Sequence, residues 1–267
     1  FAIWKDCPSL GFCFMQLATR TNSVFRSTRW VAAFFISIGS LSAKTLQQQI
    51  DAAVAAFEAG DYDAAYWTFE NTELDYGTEP EFLNPDFRSV VLPVRGYSAL
   101  MADRPTDALV FFNQLLRSHD PRPGVRAFVM FNVAIALAQT DALALAAETF
   151  RTFQLLYPNS NESALAALQE AELLYEIGDL DGANALLDEF YQSTAPATLR
   201  MQSRLRALQI AGETGDSLRS RAILFETNWS VDEMPDLAVL SFAALETGDL
   251  FLNEDFPEDA IRAYRLT

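Results

Sequence analysis

Cysteine is almost absent from this chain of 267 residues: there are 2, Cys7 and Cys13, and both precede the first methionine, Met15. Beyond that point no thiol is available for a disulfide, a thiolate metal site or a cysteine nucleophile. Histidine is scarcer still. His119 is the only one; between Ser118 and Asp120 it reads as a cation at a helix end rather than the base of a nucleophile pair. There is no Gly-rich phosphate loop, no H-E-x-x-H and no C-x-x-C. These absences predict a protein that is not an enzyme, with no metal site and no cofactor.

Carboxylates remain as possible catalytic or calcium-binding groups, and two pairs stand out, Asp61 with Asp63 and Asp179 with Asp181. Both pairs follow a glycine at equivalent turns. An aspartate just before a helix accepts backbone N–H groups and complements the helix dipole, so these pairs are read as caps. No apolar run reaches the roughly 20 residues that span a bilayer.

The beginning of the chain has a different character. Residues 1–14 precede the first methionine and show no periodicity; whether they are translated or are upstream sequence stays open. From Met15 the chain is basic and free of acids through Arg20, Arg26 and Arg29. The apolar run WVAAFFISIGSL follows, and then Ser42-Ala43-Lys44. That order is typical of a secretory signal peptide, with cleavage expected near Ala43 and a periplasmic or secreted location for the product. Residues 1–43 are thus taken as upstream segment plus signal peptide, and 44–267 as the folded part. The full chain has net charge −17. Such a surplus of acid repels phosphate backbones and anionic headgroups, so no nucleic acid is expected as a partner, and membrane contact only through other proteins.

What is abundant is helix signal. From Thr45 onward apolar residues recur at helical spacing. Turn signals fall at Gly60-Asp61, Asp103-Arg104-Pro105, Thr140-Asp141, Gly178-Asp179, Gly215-Asp216 and Asn253 to Pro257. Small residues come in pairs twelve apart: Ala53 with Ala65, Gly96 with Ala108, Ala134 with Ala146, Ala171 with Ala183, and Gly248 with Ala260. Two antiparallel helices approach closely only where the crossing side chains are small. Four residues after each second member stands a large residue, Phe69, Phe112, Phe150, Leu187 or Tyr264, placed to fill the space left at the crossing. Residues 201–230 form a degenerate copy, with Leu208 and Ser220 where the small pair should be. The longest linker is expected between Glu73 and Ser89.

A small residue in the first helix, A-x3-F in the second and a helix-ending proline such as Pro158 resemble the tetratricopeptide repeat. The resemblance covers most of residues 45–267. It implies an all-α fold, a right-handed α-solenoid of about six helix–turn–helix units with the last one incomplete. It also implies a scaffold whose first helices line a groove that takes up a peptide or helix of a protein partner. Carried over by position, the groove residues would be Val90, Tyr97, Phe128, Phe131, Asn132, Ile135, Gln139, Gln169, Glu172 and Tyr175. One subset of the family clamps a C-terminal carboxylate with Lys and Asn. Asn132 is suitably placed for that, but Lys44 is the only lysine after the apolar run, so the clamp is not expected here.

A local excess of positive charge at Arg200, Arg204, Arg206, Arg219 and Arg221 is a secondary candidate, a basic patch for an acidic partner segment. Its alternative is pairing with Glu170, Glu172 and Glu176 of the preceding unit. Two roles stay open for the whole: an exported interaction scaffold, or an accessory or sensory repeat domain attached to a C-terminal catalytic or membrane module.

Overall fold

A computed structural model describes residues 41–117, 123–229, 231–233 and 236–267. Among the described residues the regular structure is entirely helical, and the chain divides into two compact units at Phe153/Gln154.

In the first unit, α1 (Leu41–Glu58) packs against α2 (Tyr62–Tyr76). A short α3 (Pro80–Leu83) follows, then α4 (Pro85–Met101) packs against α5 (Pro105–Arg117). Next comes α6 (Pro123–Gln139), paired with α7 (Leu143–Leu156) through Phe131, whose ring centroid is 5.5 Å from those of both Phe150 and Phe153. The stretch Glu73–Ser89, expected as a linker, is instead mostly helical. Pro80 and Pro85 each open a helix, where a missing N–H has no cost.

The second unit continues the same pattern. Helix α8 (Ser163–Glu176) pairs with α9 (Leu180–Gln192), α10 (Ala197–Glu213) with α11 (Ser217–Glu226), and α12 (Leu237–Asn253) with α13 (Pro257–Tyr264); one 3-10 turn, Val231–Glu233, lies before α12. Residues 201–230, the degenerate copy, therefore do form a pair. Leu208 and Ser220 are both fully buried, a large residue at the crossing being accommodated by a small one opposite.

One backbone turn joins all six pairs. The first helix ends on a residue with positive φ: Gly60 (79°), Asp103 (60°), Asp141 (63°), Gly178 (86°), Gly215 (71°) and Asp255 (66°). The next N–H reaches back five residues to a carbonyl, as in Asp61 to Ala56 and Phe256 to Phe251, at 2.7–3.0 Å across the six. This is the Schellman closure of a helix C-terminus. The first small residue stands three before the accepting carbonyl and the second four after the donating N–H. The local turn therefore fixes the separation at twelve. The aspartates act as expected of caps: Asp61, Asp179 and Asp216 accept from the N–H groups of Ala64, Gly182 and Arg219 at 3.1, 2.9 and 3.0 Å.

The crossings are as close as the small residues predict. Ala53, Ala65, Ala108, Ala134, Ala146, Ala171, Ala183 and Ala260 are at most 1% exposed. The rings of Phe112 and Tyr264 lie directly on Gly96 and Gly248. The apolar core of the first unit gathers Leu46, Ile50, Phe69 and Phe82 around α1 and α2, then Leu100, Phe111, Phe112 and Leu115 around α4 and α5. The second unit is built on Leu187, Leu205, Leu208, Ile223, Leu224 and Phe251.

Candidate partner-binding surface

Counting from the small residue of each first helix, one row of positions carries the candidate groove. In the first unit Tyr97 is its centre. Tyr97 lies one residue after Gly96, and its ring meets three others: Phe57 of α1 at 5.9 Å, Tyr62 of α2 at 5.8 Å and Phe128 of α6 at 5.6 Å between centroids. All four rings are half-buried. The edge-to-face pairs with Phe57 and Tyr62 and the tilted pair with Phe128 hold the rings in place. Burial pushes the Tyr97 hydroxyl up to about 12, with Tyr62 adding to the effect, so it remains a neutral hydrogen-bonding group throughout the physiological range.

Not every residue assigned to the groove belongs to this surface. Val90 and Ile135 are half-buried and Gln139 is exposed. Phe131 is 7% exposed, its ring set between Phe150 and Phe153 inside its own helix pair. Asn132 is 3% exposed, and its amide donates to the Phe128 carbonyl one turn back. The placement of these two in an open groove is corrected: α6 is apolar on all sides, and the interior claims the side facing α7.

In the second unit Gln169 is also buried, which corrects its expected groove position. Glu172 and Tyr175 are half-buried and form one cluster with Arg206 of α10. The Arg206 guanidinium forks onto Glu172, Nε to Oε2 at 2.6 Å and Nη2 to Oε1 at 2.8 Å, and Nη1 reaches Glu213 at 3.3 Å. Its carbon lies 4.8 Å from the Tyr175 ring centroid, while the Tyr175 hydroxyl donates to Glu213. That hydrogen bond, followed by burial, raises the Tyr175 pKa. A bidentate arginine stacked on a tyrosine is a rigid polar fixture between α8 and α10.

The other arginines do not make an open basic patch. Arg204 donates to Thr227 at 2.9 Å and to Asp188 at 3.0 Å, and stacks on Tyr191; Arg219 pairs with the other oxygen of Asp188 at 2.9 Å; Arg221 pairs with Asp259 at 3.1 Å. Arg200 is half-buried. Pairing within the unit is thus the outcome for Arg204, Arg206, Arg219 and Arg221, with Asp188 and Asp259 as counter-charges beside Glu172 of the expected set.

Two features were missed by sequence reasoning. Arg95, 4% exposed, forms ion pairs with Glu70 and Glu73 of α2 and lies 4.1 Å over the Phe111 ring, tying α2, α4 and α5 together. Its signal was a lone cation inside the apolar run VVLPVRGY. The second is the α12 row. Phe242, Leu245, Glu246, Asp249 and Leu252 stand at the same distances from Gly248 as Phe128, Phe131, Asn132 and Ile135 do from Ala134 and Tyr175 from Ala171. All five are exposed, Phe242 to 58% and Leu252 to 56%.

Among the described residues no cluster of three or more His, Cys, Asp or Glu could hold a metal, and no helix is long and apolar enough to cross a membrane. His119 lies outside the described residues, as does the expected signal peptide up to residue 40.

No protein-family model matches the chain, and no curated protein matches it in sequence. Solved structures do. BtubC (BKLC) from P. vanneervenii aligns with a TM-score of 0.52 at 14% identity, over 83% of this chain and 90% of that one. MamA (41-end) from Desulfovibrio magneticus RS-1 aligns at 0.48 and 18% over 67% and 92%, and a TPR repeats protein from Bacteroides fragilis at 0.38 and 14% over 83% and 99%. At 14% identity the likeness to BtubC is one of fold. With helix pairs crossing at small residues twelve apart, each closed by one shared turn, the chain is an all-α, tetratricopeptide-like repeat protein.

Proposed function

We propose that the protein is an interaction scaffold that works outside the cytoplasm and takes up a segment of a partner protein along its first helices. The observation that carries this reading is the half-exposed cluster of Phe57, Tyr62, Tyr97 and Phe128 in the first unit. Aromatic side chains held rigidly at a surface lose little entropy on binding and serve as anchors for a partner's apolar side chains. The basic head, apolar run and Ser42-Ala43 support export.

The test is capture of partners from an envelope extract by the full chain, beside Tyr97→Ala and Phe128→Ala. Loss of the same partner from both variants, with melting curves still cooperative, supports the reading; unchanged partners would remove it. Sequencing the N-terminus of protein expressed from Met15 checks export, since a chain retained uncleaved in the cytosol would exclude that location.

A further inference from the structure

We propose that the corner formed by Arg104, Tyr66 and Trp67 in the first unit docks a partner segment through a single aspartate or glutamate side chain flanked by an apolar residue. The contact is separate from the aromatic cluster around Tyr97 and does not depend on it.

Arg104 follows the left-handed residue Asp103 in the turn between α4 and α5. At the same place in three other pairs stand Asp61, Asp179 and Asp216, each accepting a backbone N–H from the first turn of its second helix. Here the side chain is a cation. Its guanidinium carbon lies 4.8 Å from the Tyr66 ring centroid and 4.7 Å from that of Trp67, and the two rings meet edge to face at 5.2 Å. Stacking on aromatic faces holds the planar group in one orientation. Tyr66 is fixed in turn, being 5% exposed with its hydroxyl donating to Asp107 at 2.8 Å. Trp67 stays 47% exposed. The corner is interior to the stack, since α6 packs beyond it on α4 and α5.

What the guanidinium lacks is a carboxylate. The other arginines that lie over a ring, Arg95, Arg204, Arg206 and Arg262, each also pair with an acid: Glu70, Asp188, Glu172 and Asp259 in turn. Among the described residues Arg104 forms no ion pair, and its Nε is buried without an acceptor. The acids around it are engaged elsewhere or unpaired: Asp107 accepts from Tyr66, Glu70 from Arg95, and Asp103 makes no ion pair. Outside the described residues the only further acids are Asp6 and Asp120. An end-on carboxylate matches the two terminal nitrogens of the guanidinium with parallel hydrogen bonds. Trp67 supplies apolar surface beside the charge, which suits an apolar neighbour of that acid. The chain's net charge of −17 opposes acidic partners at a distance, so the fitting segment carries one acid among neutral residues rather than an acidic run. The same charge disfavours a second copy of this chain.

The experiment uses the 267-residue chain and three fluorescent peptides with blocked termini, alike except for glutamate, glutamine or lysine at one position beside a leucine, read by anisotropy. Blocked termini leave the side chain as the only carboxylate. The glutamate peptide is expected to bind at least about tenfold more tightly than the other two. Arg104→Met, which keeps the packing on both rings, is expected to remove that preference. Arg104→Lys is expected to retain part of it, since an ammonium cannot form the fork. Trp67→Ala is expected to weaken the glutamate and glutamine peptides alike. Equal binding of these two peptides by the wild-type chain, or none by either, would overturn the proposal whatever the variants do. So would a glutamate preference that survives Arg104→Met. A dimer seen by light scattering that Arg104→Met dissociates would overturn it too, because the occupant would then be a second copy. A glutamate preference kept by Tyr97→Ala supports a contact separate from the aromatic cluster, and its loss there would refute that separation.

Discussion

The Phe112 ring occupies the place where a Cβ on Gly96 would stand, with Cε1 only 2.4 Å from that point. Tyr264 does the same at Gly248, also at 2.4 Å. Two opposing effects meet in Gly96→Ala. Alanine in a helix interior is worth about 1 kcal/mol over glycine, but overpacking a crossing costs about 1–3 kcal/mol. Because the obstacle is a fully buried ring with nowhere to turn, the net change is expected to be destabilising. Phe112→Ala opens a cavity instead, at about 3–5 kcal/mol, and Phe112→Leu is expected to recover part of the loss in the Gly96→Ala background. Urea denaturation of the three variants checks this; a Gly96→Ala protein more stable than wild type would show that the ring yields.

The turns offer an internal comparison. Gly60, Gly178 and Gly215 adopt positive φ without a side chain, whereas Asp103, Asp141 and Asp255 adopt it with one. A left-handed residue other than glycine costs about 1–2 kcal/mol, less for aspartate, which bonds locally. Gly178→Ala is expected to lose about 1 kcal/mol, and Asp141→Gly to gain or stay level. Thermal melts resolve both, and equal loss from the two changes would mean that the aspartate side chain, rather than the backbone, holds the turn.

Much of the fold was legible because it is set locally. A left-handed residue, a five-residue closure and small residues at fixed distances from it can all be read along the chain, and even the imperfect pair Leu208 and Ser220 holds the register. What was not legible is direction. Phe128 and Phe131 lie on a helix that is apolar all round, so periodicity could not say that Phe131 turns inward to Phe150 while Phe128 turns to Tyr97. Nor could it choose the counter-ions of Arg204 and Arg219, since Asp188 lies in another helix pair. The α12 row was within reach by the same counting from Gly248. It went unread because aromatic density, strongest in α6, drew the groove assignment toward the middle of the chain.

Arg95 is a buried cation whose removal is more harmful than its presence is helpful. Truncation to alanine would leave Glu70 and Glu73 facing each other and strip the Phe111 ring of its cover. Breaking a buried pair costs about 3–5 kcal/mol. Here Glu73 is 42% exposed and can turn to water, so the loss for Arg95→Ala is expected near the lower end. Arg95→Met keeps the packing on Phe111, and combined with Glu70→Gln and Glu73→Gln it is expected to recover most of the loss. A double-mutant cycle on chemical denaturation measures the coupling; additive effects would show that the ion pairs contribute nothing.

Glu246 provides a pH signature for the acidic face. Partial burial first, then Glu213 and Asp249, raise its pKa in the folded state above the ordinary glutamate value. Between the two values the folded chain holds more proton than the unfolded one, so this group makes folding less stable as pH rises through that window and charges fully above it. The penalty is therefore present at neutral pH and relieved on acidification. Because the side chain is exposed, the effect is screened, and added salt is expected to reduce it. Glu246→Gln removes the charge without changing shape. The variant is expected to be more stable than wild type at neutral pH in low salt, with the difference vanishing as pH falls below the ordinary carboxylate range. Measured between Glu213→Gln and the Glu213→Gln, Glu246→Gln double variant, the same difference should shrink, because one of the two repelling neighbours is gone. Denaturation midpoints of the four proteins across that pH range decide the matter, and a difference that stays constant with pH would mean that the three acids do not share a field.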